Sequence, residues 1–207
     1  MSSPSGGGKS TIARHLLEAR EDVTYSVSAT TRPMRDAEAD GKHYHFLTRT
    51  EFERRVVAGE FVESAEYGGH LYGTLRAEVE RGLAAGRHVV LDIDVEGARQ
   101  VRRQYPDSVH VFVLPPSASV LVQRLRARNT EDLAAIERRI GIAAGELLAA
   151  REYDYVVVND DFVEAVAQVA AILDGEARRL RRLTNLAEVI NHLRQDLAGL
   201  QQKLRKE

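Results

Sequence analysis

Ser5-Gly6-Gly7-Gly8-Lys9-Ser10-Thr11 stands near the start of the chain and leads directly into a helical apolar pattern over residues 12–17. Consecutive glycines let backbone N–H groups turn towards a phosphate, and the N-terminus of the following helix adds a favourable field. In such a loop Lys9 reaches the β- and γ-phosphates of a nucleotide, and the Ser10 hydroxyl helps to hold Mg²⁺. The stretch therefore predicts a phosphate-binding loop, called here the phosphate loop (residues 5–11).

Two features of the phosphate loop depart from the full motif. Ser3 stands where the motif has its first glycine, and only Met1 and Ser2 precede it where a buried strand is expected. We therefore expect the first strand of the sheet to be missing, which weakens the support of the loop. From the loop alone, a glycine-rich terminal segment that caps a helix is the alternative interpretation.

Short β-branched runs alternate with helical patterns along the rest of the chain. The runs cover residues 89–91, 109–114 and 155–158, with a further strand over 24–28, and the helical stretches cover 97–104, 119–128 and 132–151. Brief apolar runs are typical of strands buried on both faces, and their alternation with helices indicates crossover connections. The pattern predicts an α/β fold with a parallel sheet flanked by helices.

Composition limits the class of protein. The chain has 207 residues, 43% of them hydrophobic, a formal net charge of −2 and no cysteine. This size suits one compact domain with small insertions. The near-neutral charge gives no field that favours nucleic acid or membrane, and we expect neither as a partner. With no signal-peptide core and no membrane-spanning run, we expect a soluble cytoplasmic protein.

An ordered series of further motifs lies between the phosphate loop and the C-terminal third. The motifs read SVSATTRPMR (26–35), GKHY (41–44), EFVE (60–63), YGT (72–74) and LDID (91–94) with Glu96-Gly97. The series resembles the guanylate kinases, a family of P-loop nucleoside monophosphate kinases, over roughly residues 3–180. The resemblance implies a kinase-like domain over 1–183, with a core (1–29, 82–118 and 150–183), an inserted GMP-binding lobe (30–81) and a small helical lid (119–149).

The inserted lobe carries the residues that the resemblance assigns to GMP. Two arginines three residues apart present forked donors to one phosphate, and a carboxylate is able to accept both N1–H and N2–H of guanine. The resemblance implies that the phosphate is bound by Arg32, Arg35, Tyr44 and Tyr72, and that the base is bound by Ser28, Glu63, Thr74 and Asp94. From the residues alone, an aromatic core for the two tyrosines and a solvated acid for Glu63 stay open.

Asp92 and Asp94 follow an apolar strand, where a buried carboxylate is costly without a partner. A Mg²⁺ shell or a ligand supplies such a partner. Asp92 fits a role in holding Mg²⁺, mainly through water, together with Ser10, and the resemblance places Asp94 nearer the guanine. The alternative for the pair is a capped helix start at Val95.

Three arginines recur on the predicted helices around residues 129–131: Arg124, Arg128 and Arg139. A solvated basic face is the alternative that the charge pattern allows. The resemblance implies that the lid brings these arginines, with Lys9 and Arg32, to the transferring phosphate. It also implies that ATP lies on residues 5–11 and that Asn159 borders the adenine.

The predicted function is ATP-dependent phosphorylation of GMP, and of dGMP, by direct in-line transfer with Mg²⁺. A non-catalytic module that binds phosphopeptides through the inserted lobe is one alternative, and a kinase for another nucleoside monophosphate is a second. Retention of Lys9, Ser10 and Asp92 favours an enzyme over the binding module.

The C-terminal segment, residues 184–207, has an apolar heptad pattern that extends beyond the resemblance. Its seam, called here the C-terminal seam, consists of Leu183, Leu186, Ile190, Leu193, Leu197, Leu200 and Leu204. Spacings of three and four are typical of a coiled coil, although Gly199 costs about 1 kcal/mol within a helix. We expect an amphipathic helix that forms a homodimer, packs on the chain's own core or frays.

Overall fold

The computed structural model describes residues 1–127, 133–183 and 185–205. These residues form two compact units, Met1–Val169 and Ala170–Glu207. Within the described ranges, the chain contains no helix that is both long and apolar enough to cross a membrane.

Helices and strands follow one another along the described residues of both units. The helices are α1 (Lys9–Ala19), α2 (Arg49–Val57), α3 (Arg76–Ala84), α4 (Val95–Gln104), α5 (Ala118–Ala127), α6 (Leu133–Leu148), α7 (Phe162–Ala177) and α8 (Leu186–Leu204). The strands are β1 (Val23–Tyr25), β2 (Ser28–Thr30), β3 (His45–Phe46), β4 (Phe61–Tyr67), β5 (His70–Leu75), β6 (His88–Val90), β7 (Val111–Leu114) and β8 (Tyr155–Val158). Two 3₁₀ turns, Ala149–Glu152 and Leu180–Arg182, follow α6 and α7.

The core of the first unit contains two parallel strand pairs, β1 with β6 and β7 with β8. Met1 and Ser2 lie between the pairs. Met1 N donates to Leu91 O (2.8 Å), and Ser2 N donates to Val111 O (3.0 Å). Ser2 O in turn accepts from Val113 N at 2.8 Å. The two residues before the loop are therefore bonded on both sides, and the prediction that a longer first strand is missing stays a prediction.

The alternation of parallel strands and helices agrees with the predicted α/β class, but two strand details differ from expectation. The predicted strand over 24–28 is divided, since β1 pairs with β6 whereas β2 pairs with β3 and β5. β8 is not buried on both faces, because Val156 and Val158 are 48% and 47% exposed. Among the described residues, β8 pairs with β7 alone, and an edge strand is able to keep one apolar face towards solvent.

A second sheet has the order β3-β2-β5-β4. Strands β3, β4 and β5 lie in the inserted lobe (30–81), and β2 leads into it. Its core consists of Ala29, Phe52, Phe61 and Leu75, and the rings of Phe52 and Phe61 stack at 4.3 Å. These two phenylalanines form the aromatic core of the lobe. Tyr44 and Tyr72 are only half-buried, so their rings remain available to a ligand.

The second unit contains the C-terminal part of α7 and all of α8. Glu176 is buried and forms ion pairs with Arg179 (3.2 Å) and Arg182 (3.3 Å), which uses part of the arginine-rich stretch inside this unit. α8 exposes its apolar positions: Ile190 is 46% exposed, Leu197 is 64% exposed and Leu204 is 72% exposed. The heptad pattern therefore forms a helix with a solvent-facing seam.

Candidate active site

The phosphate loop folds as a turn that ends in the first turn of α1. Gly6 and Gly8 have φ angles of 88° and 96°, in the left-handed region that favours glycine. Gly7 N donates to Pro4 O at 2.8 Å, which closes the turn. The Ser10 side chain lies exposed in the first turn of α1. The loop thus has the backbone that a phosphate cradle at a helix N-terminus needs.

Ser3, the residue that departs from the glycine motif, is buried beside Gly7. A Cβ atom added at Gly7 would lie 2.6 Å from the Ser3 Cβ and 3.0 Å from Pro4 O. The side chain at position 3 therefore occupies the space that a side chain at position 7 would need. Glycine at position 7 compensates for the missing glycine at position 3.

Lys9 and Asp92 join the loop to the end of β6. Lys9 Nζ donates to Asp92 Oδ1, and the Asp92 side chain is 9% exposed. The predicted cost of a buried carboxylate is offset here by the lysine. Ser10 and Asp92 supply hard oxygen ligands of the kind that Mg²⁺ prefers. Among the described residues, no group of three or more acids, cysteines or histidines is placed to hold a metal ion.

Asn159 lies behind the phosphate loop. Its Nδ2 donates to Gly7 O at 3.0 Å, and a Cβ at Gly8 would lie 2.2 Å from the same nitrogen. Arg124 contacts the same place: its Nη2 donates to Asn159 O (3.1 Å) and its Nη1 to Gly7 O (3.5 Å). Both side chains, predicted to contact nucleotide, hold the loop backbone in this structure.

Helix α6 contacts the loop at Ser5. Arg139 Nη2 donates to Ser5 Oγ at 3.0 Å, and Ser5 N donates to Glu146 Oε2 at 3.1 Å. Burial raises the pKa of Glu146. Glu146 was not predicted from the sequence; its position seven residues after Arg139, on the same helical face, is the signal that indicates it. Arg128 lies outside the described residues.

The arginine predicted to bind the GMP phosphate is held by a glutamate. Glu38 accepts two hydrogen bonds from Arg32, at 2.7 and 2.9 Å, and a third from Arg35 N at 2.9 Å. These bonds, chiefly that from the Arg32 guanidinium, lower the pKa of Glu38 to about 2. The Arg32 guanidinium lies 5.5 Å from the centre of the Tyr44 ring, and Tyr44 meets Tyr72 edge to face at 6.1 Å. The Arg35 residue is exposed.

Three of the predicted base-binding residues form one row across the second sheet, called here the base row (Ser28, Thr74 and Glu63). Ser28 pairs with Thr74 across β2 and β5, and Thr74 pairs with Glu63 across β5 and β4. Thr74 Oγ1 donates to Glu63 Oε1 at 2.6 Å. Burial, with a smaller contribution from Asp94, raises the pKa of Glu63 to about 7. Glu63 is buried, which excludes the solvated acid considered from the sequence.

Asp94 begins helix α4. Its side chain accepts a hydrogen bond from Gly97 N at 2.7 Å, so the helix cap considered from the sequence is present. The same residue also borders the base row, because a Cβ at Gly97 would lie 2.8 Å from Glu63 Oε2 and 3.2 Å from Asp94 Oδ1. Asp94 therefore caps α4 and stands beside Glu63.

Charged groups near the phosphate loop influence titratable groups in and near the inserted lobe. Tyr25, at the end of β1, is mostly buried, which raises the pKa of its hydroxyl, and Asp92 and Tyr44 lie close enough to raise it further. Asp92 likewise raises the pKa of Tyr44. Lys9 and Asp94 both influence the pKa of Glu146. Titratable groups of the phosphate loop, of the end of β6 and of the inserted lobe are thus within electrostatic range of one another.

The chain is similar to proteins of one enzyme family over most of its length. The family model described as guanylate kinase matches residues 1–176. The chain is 50% identical over 188 residues to a guanylate kinase of Symbiobacterium thermophilum, covering 90% of this chain and 89% of the relative. It is 48% identical over 198 residues to a guanylate kinase of Thermus thermophilus, covering 96% and 89%. Among solved structures, guanylate kinase from Anaplasma phagocytophilum matches with a TM-score of 0.74 and 34% identity, covering 92% and 91%.

Proposed function

Because the chain belongs to the guanylate kinase family, we propose that its phosphate loop and its base row together serve the reaction of that family. The chain phosphorylates GMP at the expense of ATP, giving GDP and ADP. The observation that carries the assignment of the acceptor side is the base row, in which a buried carboxylate is aligned with two hydroxyls. We extend the acceptor to dGMP, since no residue assigned here depends on the 2′-hydroxyl.

The guanine base binds at the base row. Glu63 Oε2 and Asp94 accept the N1–H and N2–H of guanine, while Thr74 keeps its bond to Glu63 Oε1. A site that pairs a buried acceptor with substrate N–H groups rejects bases that lack them. Adenine offers an acceptor at N1, which the ionised Glu63 repels, so AMP binds more weakly than GMP.

The phosphate of GMP binds to Arg32, Arg35, Tyr44 and Tyr72. Glu38 and the carbonyl of Pro33 accept three hydrogen bonds from Arg32, and a further side-chain hydrogen bond joins Arg32 to Tyr72. The guanidinium is thereby fixed in orientation above the Tyr44 ring. Arg35 is exposed and moves to the phosphate on binding.

ATP binds with its phosphates on the phosphate loop, residues 5–11, and Lys9 turns from Asp92 to the β- and γ-phosphates. Ser10 and Asp92 would hold Mg²⁺, which would supply neutralisation of the phosphate charge. Arg124 and Arg139 lie beside the loop at Gly7 and Ser5, within reach of the transferring group as the lid (119–149) closes. Arg128 is proposed for the same role from its position in the sequence.

Transfer proceeds in one step. A phosphate oxygen of GMP attacks the γ-phosphorus as the bond to the leaving β-phosphate oxygen breaks. The attacking oxygen is already anionic near pH 7, so no general base is needed. Catalysis consists of positioning, neutralisation of charge and exclusion of water by closure.

The test compares ADP formation from ATP with GMP, AMP, CMP and UMP, for the wild-type chain and for Lys9→Ala. We expect GMP to be preferred, and Lys9→Ala to lose about 10²-fold or more in kcat because a charge on the transferring phosphate is lost. Equal activity in Lys9→Ala would refute the loop assignment. Absence of turnover together with tight phosphopeptide binding would favour the non-catalytic module.

We further propose that the C-terminal seam joins two copies of this chain and that the enzyme works in the cytoplasm. The seam residues of α8 are arranged in heptads and face solvent, Leu193 being 55% exposed and Leu200 55% exposed. Light scattering on Leu193→Arg tests the dimer, with the off-seam Gln195→Arg as control. A mass that is halved only in Leu193→Arg supports the dimer, and an unchanged mass refutes it.

A further inference from the structure

Strand β4, which carries Glu63, is the edge strand of the second sheet, and side chains of α4 bind its outer edge. Ser64 N donates to Gln100 Oε1 at 3.0 Å, and Gln100 Nε2 donates to Ser64 O at 3.0 Å. One side-chain amide therefore makes the two bonds that a neighbouring strand would make. Ser64 follows Glu63 directly, so this contact fixes the backbone beside the carboxylate.

The same strand has a β-bulge on the other side of Glu63. Phe61 pairs with Leu75, and Glu63 pairs with Thr74, which is adjacent to Leu75 on β5. Two steps along β4 therefore match one step along β5, and Val62 is the extra residue. Val62 is fully buried in the cluster that includes Ala98 of α4. Gln104 Nε2 donates to Val62 O at 2.6 Å. Bulges re-aim the side chains beside them, and here a second glutamine of α4 binds the bulge.

Contacts of helix α4 therefore position both carboxylates that are proposed to bind guanine, those of Glu63 and Asp94. Its first turn carries the Asp94 cap, Gly97 separates Asp94 from Glu63, and Gln100 and Gln104 hold the strand on either side of Glu63. The two glutamines bind only backbone groups of β4 and therefore use no carboxylate oxygen, whereas the cap uses Asp94 Oδ1.

We propose that Gln100 is a positioning residue for guanine selection, which sets the distance between Glu63 and Asp94 by binding both backbone polar groups of Ser64. The proposal rests on the proposed function, because it assigns the guanine edge to Glu63. Gln100 does not touch the nucleotide; it acts through strand β4. Without it, Ser64 N and O turn to water and the edge of the sheet at Glu63 loses its fixed register.

The test uses Gln100→Met, which keeps the length of the side chain and removes both bonds. Kinetic constants are measured with GMP and with inosine monophosphate, which lacks the 2-amino group, at saturating ATP. We expect KM for GMP to rise about tenfold and the preference for GMP over inosine monophosphate to fall about fivefold. KM for ATP should change less than twofold. Arg103→Gln, at an exposed position of the same helix, is the matched control.

Combination with Glu63→Gln separates positioning from a merely structural role. If Gln100 acts through Glu63, then adding Gln100→Met to Glu63→Gln lowers the preference for GMP no further. A lower melting temperature in Gln100→Met with an unchanged preference would overturn the proposal. If Gln100→Met does not fold, Gln100→Glu is measured in the same way, because it keeps an acceptor for Ser64 N and removes the donor to Ser64 O.

The measurements distinguish a wrong assignment of guanine to Glu63 from a wrong assignment of the positioning role to Gln100. Unchanged preference in Glu63→Gln would refute the assignment of guanine to Glu63, and the role of Gln100 with it. A loss of preference in Glu63→Gln without any loss in the folded Gln100 variants would refute the role of Gln100 alone.

Discussion

Thr74 Oγ1 donates a 2.6 Å hydrogen bond to Glu63 Oε1, and both side chains are buried. This bond favours the ionised carboxylate, but burial outweighs it and raises the pKa of Glu63 to about 7. The carboxyl group is therefore close to half-protonated in the free protein near neutral pH. Guanine N1–H and N2–H require the ionised form, so base binding and proton release are linked at this residue.

The first prediction concerns the pH dependence of GMP use. The folded-state pKa of Glu63 is above its ordinary value of 4.5, so KM for GMP is lowest above about pH 8 and rises as the pH falls through 7. The rise approaches tenfold per pH unit at lower pH. The GMP phosphate also titrates near pH 6. In Glu63→Gln the pH dependence from the phosphate remains, whereas the pH dependence from the Glu63 carboxyl is absent. Initial rates from pH 5.5 to 8.5 measure the difference, and identical profiles would contradict the prediction.

The second prediction is that Glu63→Gln stabilises the free protein at high pH. Because the pKa of Glu63 is raised on folding, its stabilising effect is complete below about pH 4.5 and is lost as the pH rises through 7. Glutamine does not ionise, so this loss of stability does not occur in the variant. Its amide oxygen still accepts the hydrogen bond from Thr74. We expect the free energy of unfolding to exceed that of wild type by up to ~3 kcal/mol above pH 8. Denaturant unfolding at pH 5 and 8.5 measures this, and a difference independent of pH would contradict it.

The third prediction concerns Glu38, which orients Arg32. Glu38→Gln replaces one acceptor oxygen by an NH₂ group that faces the guanidinium, so the fork above Tyr44 loses its fixed orientation. We expect KM for GMP to rise about three- to tenfold, with kcat and KM for ATP within twofold. Initial-rate kinetics test this, with Glu53→Gln on the exposed face of α2 as control. A higher KM for ATP alone would count against the assignment.

The fourth prediction concerns Asn159, which supports the phosphate loop. Asn159→Asp places a buried carboxylate against Gly7 O, where a donor stood at 3.0 Å. We expect the free energy of unfolding to fall by about 2–4 kcal/mol and KM for ATP to rise about tenfold. Asp160→Asn, at the exposed neighbouring position, is the control. Retention of both stability and KM for ATP would refute the supporting role.

Local patterns in the sequence predicted much of this fold. Glycines mark the backbone turns with positive φ at Gly6 and Gly8, and the strand predicted over 155–158 has those bounds. The end of β7 at Leu114 follows from the two prolines after it. The exposure of Val156 was not predictable from its apolar run, because it depends on which strands flank β8.

The site was predictable only as far as single residues carry a recognisable pattern. Glu63 and Thr74 are eleven residues apart, and the β4–β5 register that joins them includes a bulge that no local signal marks. Glu38, Gln100 and Glu146 are ordinary polar residues in the sequence. Their partners lie at separations that only the tertiary fold decides.

The ratio of ADP to GDP formed tests the proposed transfer of phosphate from ATP to GMP most directly. The chain is incubated with MgATP and GMP, and nucleotides are separated by chromatography at several times. We predict that ADP and GDP appear one for one, that neither forms when GMP is omitted, and that AMP in place of GMP gives less than about a hundredth of the rate. ADP formed without GDP, or equal rates with AMP and GMP, would contradict it.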